Sequence, residues 1–270
     1  MLKLRILTGV ILGGLLWVGL FLLPAQVMVF GFAALLTLGA WEWAGFGGVQ
    51  GIGARLAYAA AIAVLLLLGW RFTRDPDNLL MVLEAACVWW AVAFLWLVSA
   101  PGRYSQRLAL LCGVPVLVPA FLALGHLEIA GTGSVRGPQI VLWLVLLVIA
   151  ADIGAYFAGR SFGRHKLAPR VSPGKTWEGA LGGLAAVALV ASAGAVHFGL
   201  AILPCVAFGG AIGIFSVIGD LTESMFKRAA GLKDSGALLP GHGGMLDRID
   251  SVTAAAPLYA LGLFGSGVIA

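Results

Sequence analysis

Apolar residues occur along this chain in long unbroken runs, at about 5–23, 26–45, 53–70, 79–99, 107–125, 138–159, 176–196, 199–220 and 252–269. A helix needs roughly 20 such residues to cross the hydrocarbon of a bilayer, so the pattern predicts nine membrane-spanning helices, of which the third and ninth are short. The runs are continuous and do not alternate with a period of two, which argues against a transmembrane β-barrel. Polar positions gather in two stretches, 160–175 and 221–251. The fold class that follows is an all-α polytopic membrane protein. Residues 1–137 form a scaffold of five spans, and residues 138–270 form a unit of four spans that carries both charged loops.

Composition supports this reading. The 270 residues are 61% hydrophobic and 11% charged, against roughly 25% charged in soluble domains. The first run follows Lys3 and Arg5 but is long for a signal sequence and ends without a small-x-small cleavage site, so it is read as a retained helix. With nine spans and a cytoplasmic N-terminus, 14 of the 17 Lys and Arg residues fall on the cytoplasmic side and Arg71, Arg74 and Arg136 on the other. That bias orients the protein and places both charged loops in the cytoplasm. The net charge of +5 suits anionic lipid head groups. No basic stripe interleaved with aromatics is present, so nucleic acid is not an expected partner. Cys87, Cys112 and Cys205 lie inside spans without metal-ligand spacing and read as packing residues.

The chemistry concentrates in the second half, which holds seven of the twelve acidic residues. Glu42 and Glu84, in the N-terminal spans, read as structural groups hydrogen-bonded to a neighbouring helix. Asp152, Tyr156, Gly159 and Arg160 share one helical face leading to the 160–175 loop, so Asp152 is expected to face a polar cavity. Next comes Ser172-Pro173-Gly174-Lys175-Thr176-Trp177-Glu178-Gly179. Its Gly-Lys-Thr is not a P-loop, because the required earlier glycine is replaced by Pro169 and no strand precedes it. Ser172 and Pro173 are expected to start a helix whose first amides, with Lys175, favour an anion.

Span eight ends with Asp220, Glu223, Ser224 and Lys227 at i, i+3, i+4 and i+7, again one face. Asp247 and Asp250 are three apart and would converge on one ion if helical. Magnesium takes one or two carboxylates, with water and phosphate oxygens completing its shell, so Asp220, Asp247 and Asp250 are the expected ligands for one or two such ions. The alternative is an ionic network of Asp247 and Asp250 with Arg248 or Lys227. Lys227, Arg228, Lys233, Lys175 and Arg248 are suited to phosphates, Asp234 to a cation, and Gly243 and Gly244 to close backbone approach. His242, between glycines and with no second histidine at ligand spacing, reads as a positioned hydrogen-bond donor.

The stretch Ser224–Asp250 resembles the signature of the phosphatidate cytidylyltransferase (CDP-diacylglycerol synthase) family, S-x-x-K-R-x4-K-D-x-[small]-x2-[apolar]-P-x-H-G-G-x-x-D-R-x-D, with every specified position filled. Asp152-x-x-Ala155-Tyr156-x-x-Gly159 and Ser172–Gly179 are similar to two further motifs of that family. The resemblance implies that CTP and phosphatidic acid give CDP-diacylglycerol and pyrophosphate, with magnesium required. It implies a homodimer in a bacterial inner membrane whose active site faces the cytoplasm. On this reading Lys227, Arg228, Lys233, Asp234, His242 and Arg248 form the catalytic group. Asp152, Tyr156, Ser172, Lys175, Thr176, Glu178, Ser224, Gly243 and Gly244 bind substrate. A CTP-dependent lipid kinase, or a cytidylyltransferase for another lipid phosphate, would share this chemistry. A transporter would instead show midplane charge and repeat symmetry, neither of which the sequence displays.

Overall fold

The computed structural model describes residues 2–102, 104–132, 135–238 and 243–266, with side chains from residue 8 onward except at 132. Among these residues the elements run α1 (Leu2–Leu22), α2 (Ala25–Trp43), α3 (Ile52–Phe72), α4 (Pro76–Ser99), α5 (Gln106–Ile129), β1 (Gly131–Thr132), β2 (Val135–Arg136), α6 (Gly137–Phe162), β3 (Lys166–Ala168), β4 (Ser172–Thr176), α7 (Trp177–Phe198), α8 (Ile202–Ala229) and α9 (Leu246–Gly265). The all-α polytopic membrane class is borne out. Among the described residues seven helices, α2 to α8, are long and apolar enough to cross a membrane. In α1 the apolar stretch is Thr8–Leu22, and α9 begins with the charged residues Asp247, Arg248 and Asp250.

Local chemistry explains several helix ends. Asp75 accepts from the Asp77 amide at 3.0 Å and Pro76 opens α4. Ser105 Oγ accepts from the Leu108 amide to start α5, and Thr176 Oγ1 accepts from the Gly179 amide to start α7. Each supplies an acceptor to one of the first-turn amides that a helix leaves unpaired. Gly199 ends α7 in the left-handed region at φ +67°.

Packing is centred on α5, which is buried along most of its length and touches α2, α3, α4, α6 and α9. The tightest helix pair is α6 with α7. Gly154 lies against the Gly182 carbonyl and Gly183 against the Ala151 carbonyl, and there is no room for a side chain at either. Gly194 seats the Trp143 ring, and Gly209 and Gly213 pack on Ala191 and on Leu184 and Val187. Gly210 faces open space.

Two expectations are corrected. Ser172–Thr176 does not begin a helix: it is the strand β4, paired antiparallel with β3, with Lys166 opposite Thr176 and Ala168 opposite Ser172. The helix starts at Trp177, after the hairpin has used the backbone polar groups of that stretch. Glu84 meets no neighbouring helix: it is exposed on α4 and makes no hydrogen bond or ion pair among the described residues. Glu42 is buried and hydrogen-bonded to a neighbouring helix as expected, through the Leu246 amide that starts α9, and it also meets the loop at Met245 and Ser235.

Candidate active site

Both charged stretches meet at one end of the bundle. Helix α8 continues nine residues beyond the apolar run that predicted it, so Asp220, Glu223, Ser224 and Lys227 project from one face of a continuous helix. Helix α9 starts six residues before its apolar run, which makes Asp247 and Asp250 helical as well. The two helices cross where Gly219 meets α9. A Cβ there would lie 2.6 Å from the Asp250 carbonyl oxygen and 2.9 Å from Ala254 Cβ. This glycine is what lets the two acidic faces come together.

The last turns of α8 are fixed by aromatic side chains from the first half of the chain. The Phe226 ring lies 5.1 Å from Trp43, 4.9 Å from Tyr104 and 5.8 Å from Trp96, centroid to centroid, within the range of favourable aromatic pairs. Tyr104 Oη donates to the Phe226 carbonyl at 2.8 Å, and Trp43 Nε1 donates to the Ala109 carbonyl at 2.7 Å. Lys227 follows directly and is held at 7% exposure.

Lys227 Nζ lies 2.6 Å from Asp247 Oδ1 and 3.0 Å from Glu223 Oε1. Asp247 Oδ2 accepts three more bonds: from the Ser235 amide at 2.9 Å, the Ser235 hydroxyl at 2.9 Å and the Gly244 amide at 2.8 Å. Asp247, expected as a metal ligand, is therefore committed to Lys227 and to the loop, and the ionic-network alternative describes its contacts. Asp220 Oδ2 pairs with Lys175 Nζ at 2.7 Å, and its Oδ1 accepts from Ser224 Oγ at 3.2 Å. Asp250 lies within electrostatic reach of Glu223, Asp220 and Lys227.

Beside this cluster a cavity of about 450 Å³ opens between α6, β4, α7 and α8. It is lined by Asp152, Tyr156, Arg160, Lys175, Thr176 and Asp220 among others. The face read from Asp152, Tyr156, Gly159 and Arg160 is thus one wall of a real cavity, in which Arg160 Nη1 donates to Tyr156 Oη at 2.8 Å. Asp152 is within electrostatic reach of Asp220, Lys175 and Arg248. An apolar cavity of about 280 Å³ lies at the other end of α6 to α9, around Trp143, Phe198, Phe208 and Tyr259. It has no charged lining and cannot serve a polyanion.

The remaining predicted residues are less uniform. Thr176 is the α7 cap. Glu178 accepts from the Arg164 and His165 amides and meets His165 Nδ1 at 2.6 Å, so it fastens the β3–β4 hairpin to α7. Ser172 is half-buried in β4. Arg228 is exposed and donates to the Leu232 carbonyl at 3.2 Å. Lys233 and Asp234 are exposed on the loop, and Asp234 lies beside Gly243, whose φ is +82°. Arg248 is exposed at the start of α9. His242 lies outside the described residues.

Two acids absent from the expected site belong to it. Glu223 is 3% exposed; its Oε1 lies 3.0 Å from Lys227 Nζ, and its Oε2 has no hydrogen-bond partner among the described residues. Its place on the Asp220–Lys227 face was the available signal. Glu42 accepts from the Met245 amide at 3.0 Å, the Leu246 amide at 2.7 Å and the Ser235 hydroxyl at 3.2 Å. Its partners lie some 200 positions away, so no local pattern could reveal them.

A divalent cation suits this donor set in charge and chemistry. Asp152, Asp220, Glu223, Asp247 and Asp250 make five carboxylates, and Lys175, Lys227 and Arg248 make three cations. Ionised, they leave two negative charges, and Glu223 Oε2 is buried with no hydrogen-bond partner among the described residues, which is costly unless something compensates it. Among the described residues no three ligand-type side chains already converge on one point, so a bound ion would have to gather its carboxylates.

Comparison with known proteins agrees with the motif resemblance. The profile described as the cytidylyltransferase family matches residues 3–264. A phosphatidate cytidylyltransferase of Pseudomonas aeruginosa is 43% identical over 277 residues, covering 99% of this chain and 98% of its own length. One from Haemophilus influenzae is 38% identical over 283 residues, covering 96% and 98%. One from Brucella suis is 52% identical over 134 residues, 48% of each chain. Matched along nearly its whole length, this membrane protein belongs to the cytidylyltransferase family.

Proposed function

We propose that the protein transfers CMP from CTP to phosphatidic acid, giving CDP-diacylglycerol and pyrophosphate. A phosphatidate oxygen forms a bond to the α-phosphorus of CTP as the bond from that phosphorus to the β-phosphate oxygen breaks, and pyrophosphate leaves. The nucleophile is a phosphomonoester, already anionic near neutral pH, so no side chain has to remove a proton. Positioning and charge neutralisation carry the reaction. The observation that carries the reading is the meeting of the Lys175–Asp220 pair and the Lys227–Glu223–Asp247 cluster beside the cavity walled by Asp152, Tyr156 and Arg160. That cavity is the place for the lipid phosphate. Lys175, Lys227 and Arg248 face the triphosphate, with Arg228 and Lys233 at the loop edge.

Magnesium, when bound, would screen the phosphate charges and polarise the phosphorus under attack. Asp220, Glu223 and Asp250 are the carboxylates that would hold it. Asp247 orders the loop through Ser235 and Gly244. The excess of 14 basic residues to 3 supports placing this end in the cytoplasm of a bacterial inner membrane. A homodimer through the N-terminal spans is supported by Glu84, because a carboxylate facing hydrocarbon costs roughly 2.5–3.5 kcal/mol and a second chain would shelter it.

The test is pyrophosphate release by the purified protein in mixed micelles with CTP and magnesium. The reading requires release only when phosphatidic acid is present, lipid-linked CMP as co-product, and no turnover by Asp250→Ala. Release of CDP would overturn it in favour of a CTP-dependent kinase.

A further inference from the structure

Helix α9 carries Asp247, Arg248 and Asp250 in its first turns, and its N-cap residue Met245 gives no side-chain cap. An uncapped helix start leaves amides without acceptors. Here the acceptor comes from another helix. Glu42, one residue from the end of α2, reaches the start of α9 with both oxygens: Oε1 takes the Met245 amide at 3.0 Å and Oε2 takes the Leu246 amide at 2.7 Å. It is 3% exposed. A negative group at this end also meets the positive end of the α9 dipole.

The same carboxylate reaches the polyanion cluster through Ser235. The Ser235 hydroxyl lies 3.2 Å from Glu42 Oε2 and 2.9 Å from Asp247 Oδ2, and its single proton serves one of them at a time. Two loop glycines are shaped around the carboxylate. A Cβ at Gly236 would collide with Glu42 Oε1, and one at Gly244 with Glu42 and the Ser235 hydroxyl. Glu42 therefore meets both described stretches of the loop, at 235–236 and at 244–245, as well as the helix start at Leu246.

We propose that Glu42 is a positioning residue for the reaction: it caps α9 from outside and locks the loop against it, so that Ser235, Gly244 and Asp247 hold Lys227 in place. The proposal rests on the cytidylyltransferase reading for its kinetic part and on geometry alone for its structural part. Loss of Glu42 should lower kcat more than it weakens lipid binding, because Glu42 does not line the phosphatidate cavity and its hydrogen bonds go to the loop and α9.

The experiment compares the full-length wild type with Glu42→Gln and Gly236→Ala in lipid nanodiscs. Glutamine keeps the size and one acceptor but turns an amide group toward donors. Gly236→Ala pushes the carboxylate away while leaving residue 42 intact. Both should speed hydrogen exchange at the amides of Ser235, Met245 and Leu246, lower kcat by ~10–100-fold as for other groups that orient a charged site, and leave KM for phosphatidic acid unchanged. Wild-type exchange at those amides would overturn the proposal. So would wild-type kcat per folded molecule, which is the result a merely stabilising residue gives. If Glu42→Gln does not fold, Gly236→Ala decides. If the wild type itself makes no pyrophosphate, the functional reading fails, and the exchange comparison alone decides whether Glu42 holds the loop.

Discussion

Lys227→Met offers the sharpest test of the charged cluster. The Lys227 side chain is 9% exposed and lies between Glu223, 3% exposed, and Asp247, 8% exposed, at 3.0 and 2.6 Å. Methionine keeps the length and apolar contacts of the stem but removes the ammonium that lies 3.0 Å from Glu223 Oε1. Removing one partner of a buried ion pair costs about 3–5 kcal/mol, because the partner's charge stays buried and uncompensated. Arg228→Met, one residue on, removes an exposed cation that meets only the Leu232 carbonyl. It should stay within about 0.5 kcal/mol of wild type. The pair is compared by reversible unfolding in mixed dodecyl maltoside and SDS micelles, with pyrophosphate release measured in parallel. The double variant Lys227→Met with Glu223→Gln should recover much of the lost stability, since both members of the mismatch are then neutral, while turnover stays absent. If Lys227→Met is as stable as Arg228→Met, Lys227 does not compensate buried carboxylates and the description of the cluster is wrong.

Other outcomes follow from single contacts. Gly219→Ala places a methyl against the Asp250 carbonyl and Ala254; it should destabilise by about 1–3 kcal/mol and abolish turnover by parting α8 from α9, whereas Gly210→Ala, facing open space, should leave both properties unchanged. Thr176→Ala removes the α7 cap and should cost about 1 kcal/mol in the same unfolding assay, with Thr176→Ser restoring it. If a second chain covers Glu84, Cys87 three residues on should form an intermolecular disulfide on oxidation in the membrane when Cys112 and Cys205 are replaced by serine, and a monomer band alone would count against the α4 interface.

The helical class was legible because hydropathy integrates over twenty residues, and no local detail disturbs the sum. What hydropathy misplaced were the inner ends of α8 and α9. Asp220 ends an apolar run, yet α8 continues to Ala229, because Glu223, Ser224 and Lys227 turn toward α9 and the loop rather than into lipid. The 3.6 spacing of those residues carried the correct signal. The Ser172–Thr176 stretch shows the opposite case. Serine followed by proline is a sound helix start in isolation, but pairing of Lys166–Ala168 with this segment made it a strand, and such pairing leaves no trace in either segment alone.

Glu42 marks the deeper limit and its physical cause. Read locally, a glutamate between two tryptophans in an apolar run is an expensive group in search of a neighbour, and the nearest neighbours in sequence are other spans. Its actual partners are amides, and an amide belongs to every residue, so no residue type at 245 or 246 announces it. The nearby glycines did carry the information in indirect form. Gly244 reads as room for close approach to a ligand, but the group that it and Gly236 accommodate in the structure is the Glu42 carboxylate. In a site made of backbone donors and buried acids, a glycine-rich loop is therefore ambiguous between approach by a substrate and approach by the protein's own side chain. Only the position of the acid decides between them, and here it lies inside the loop.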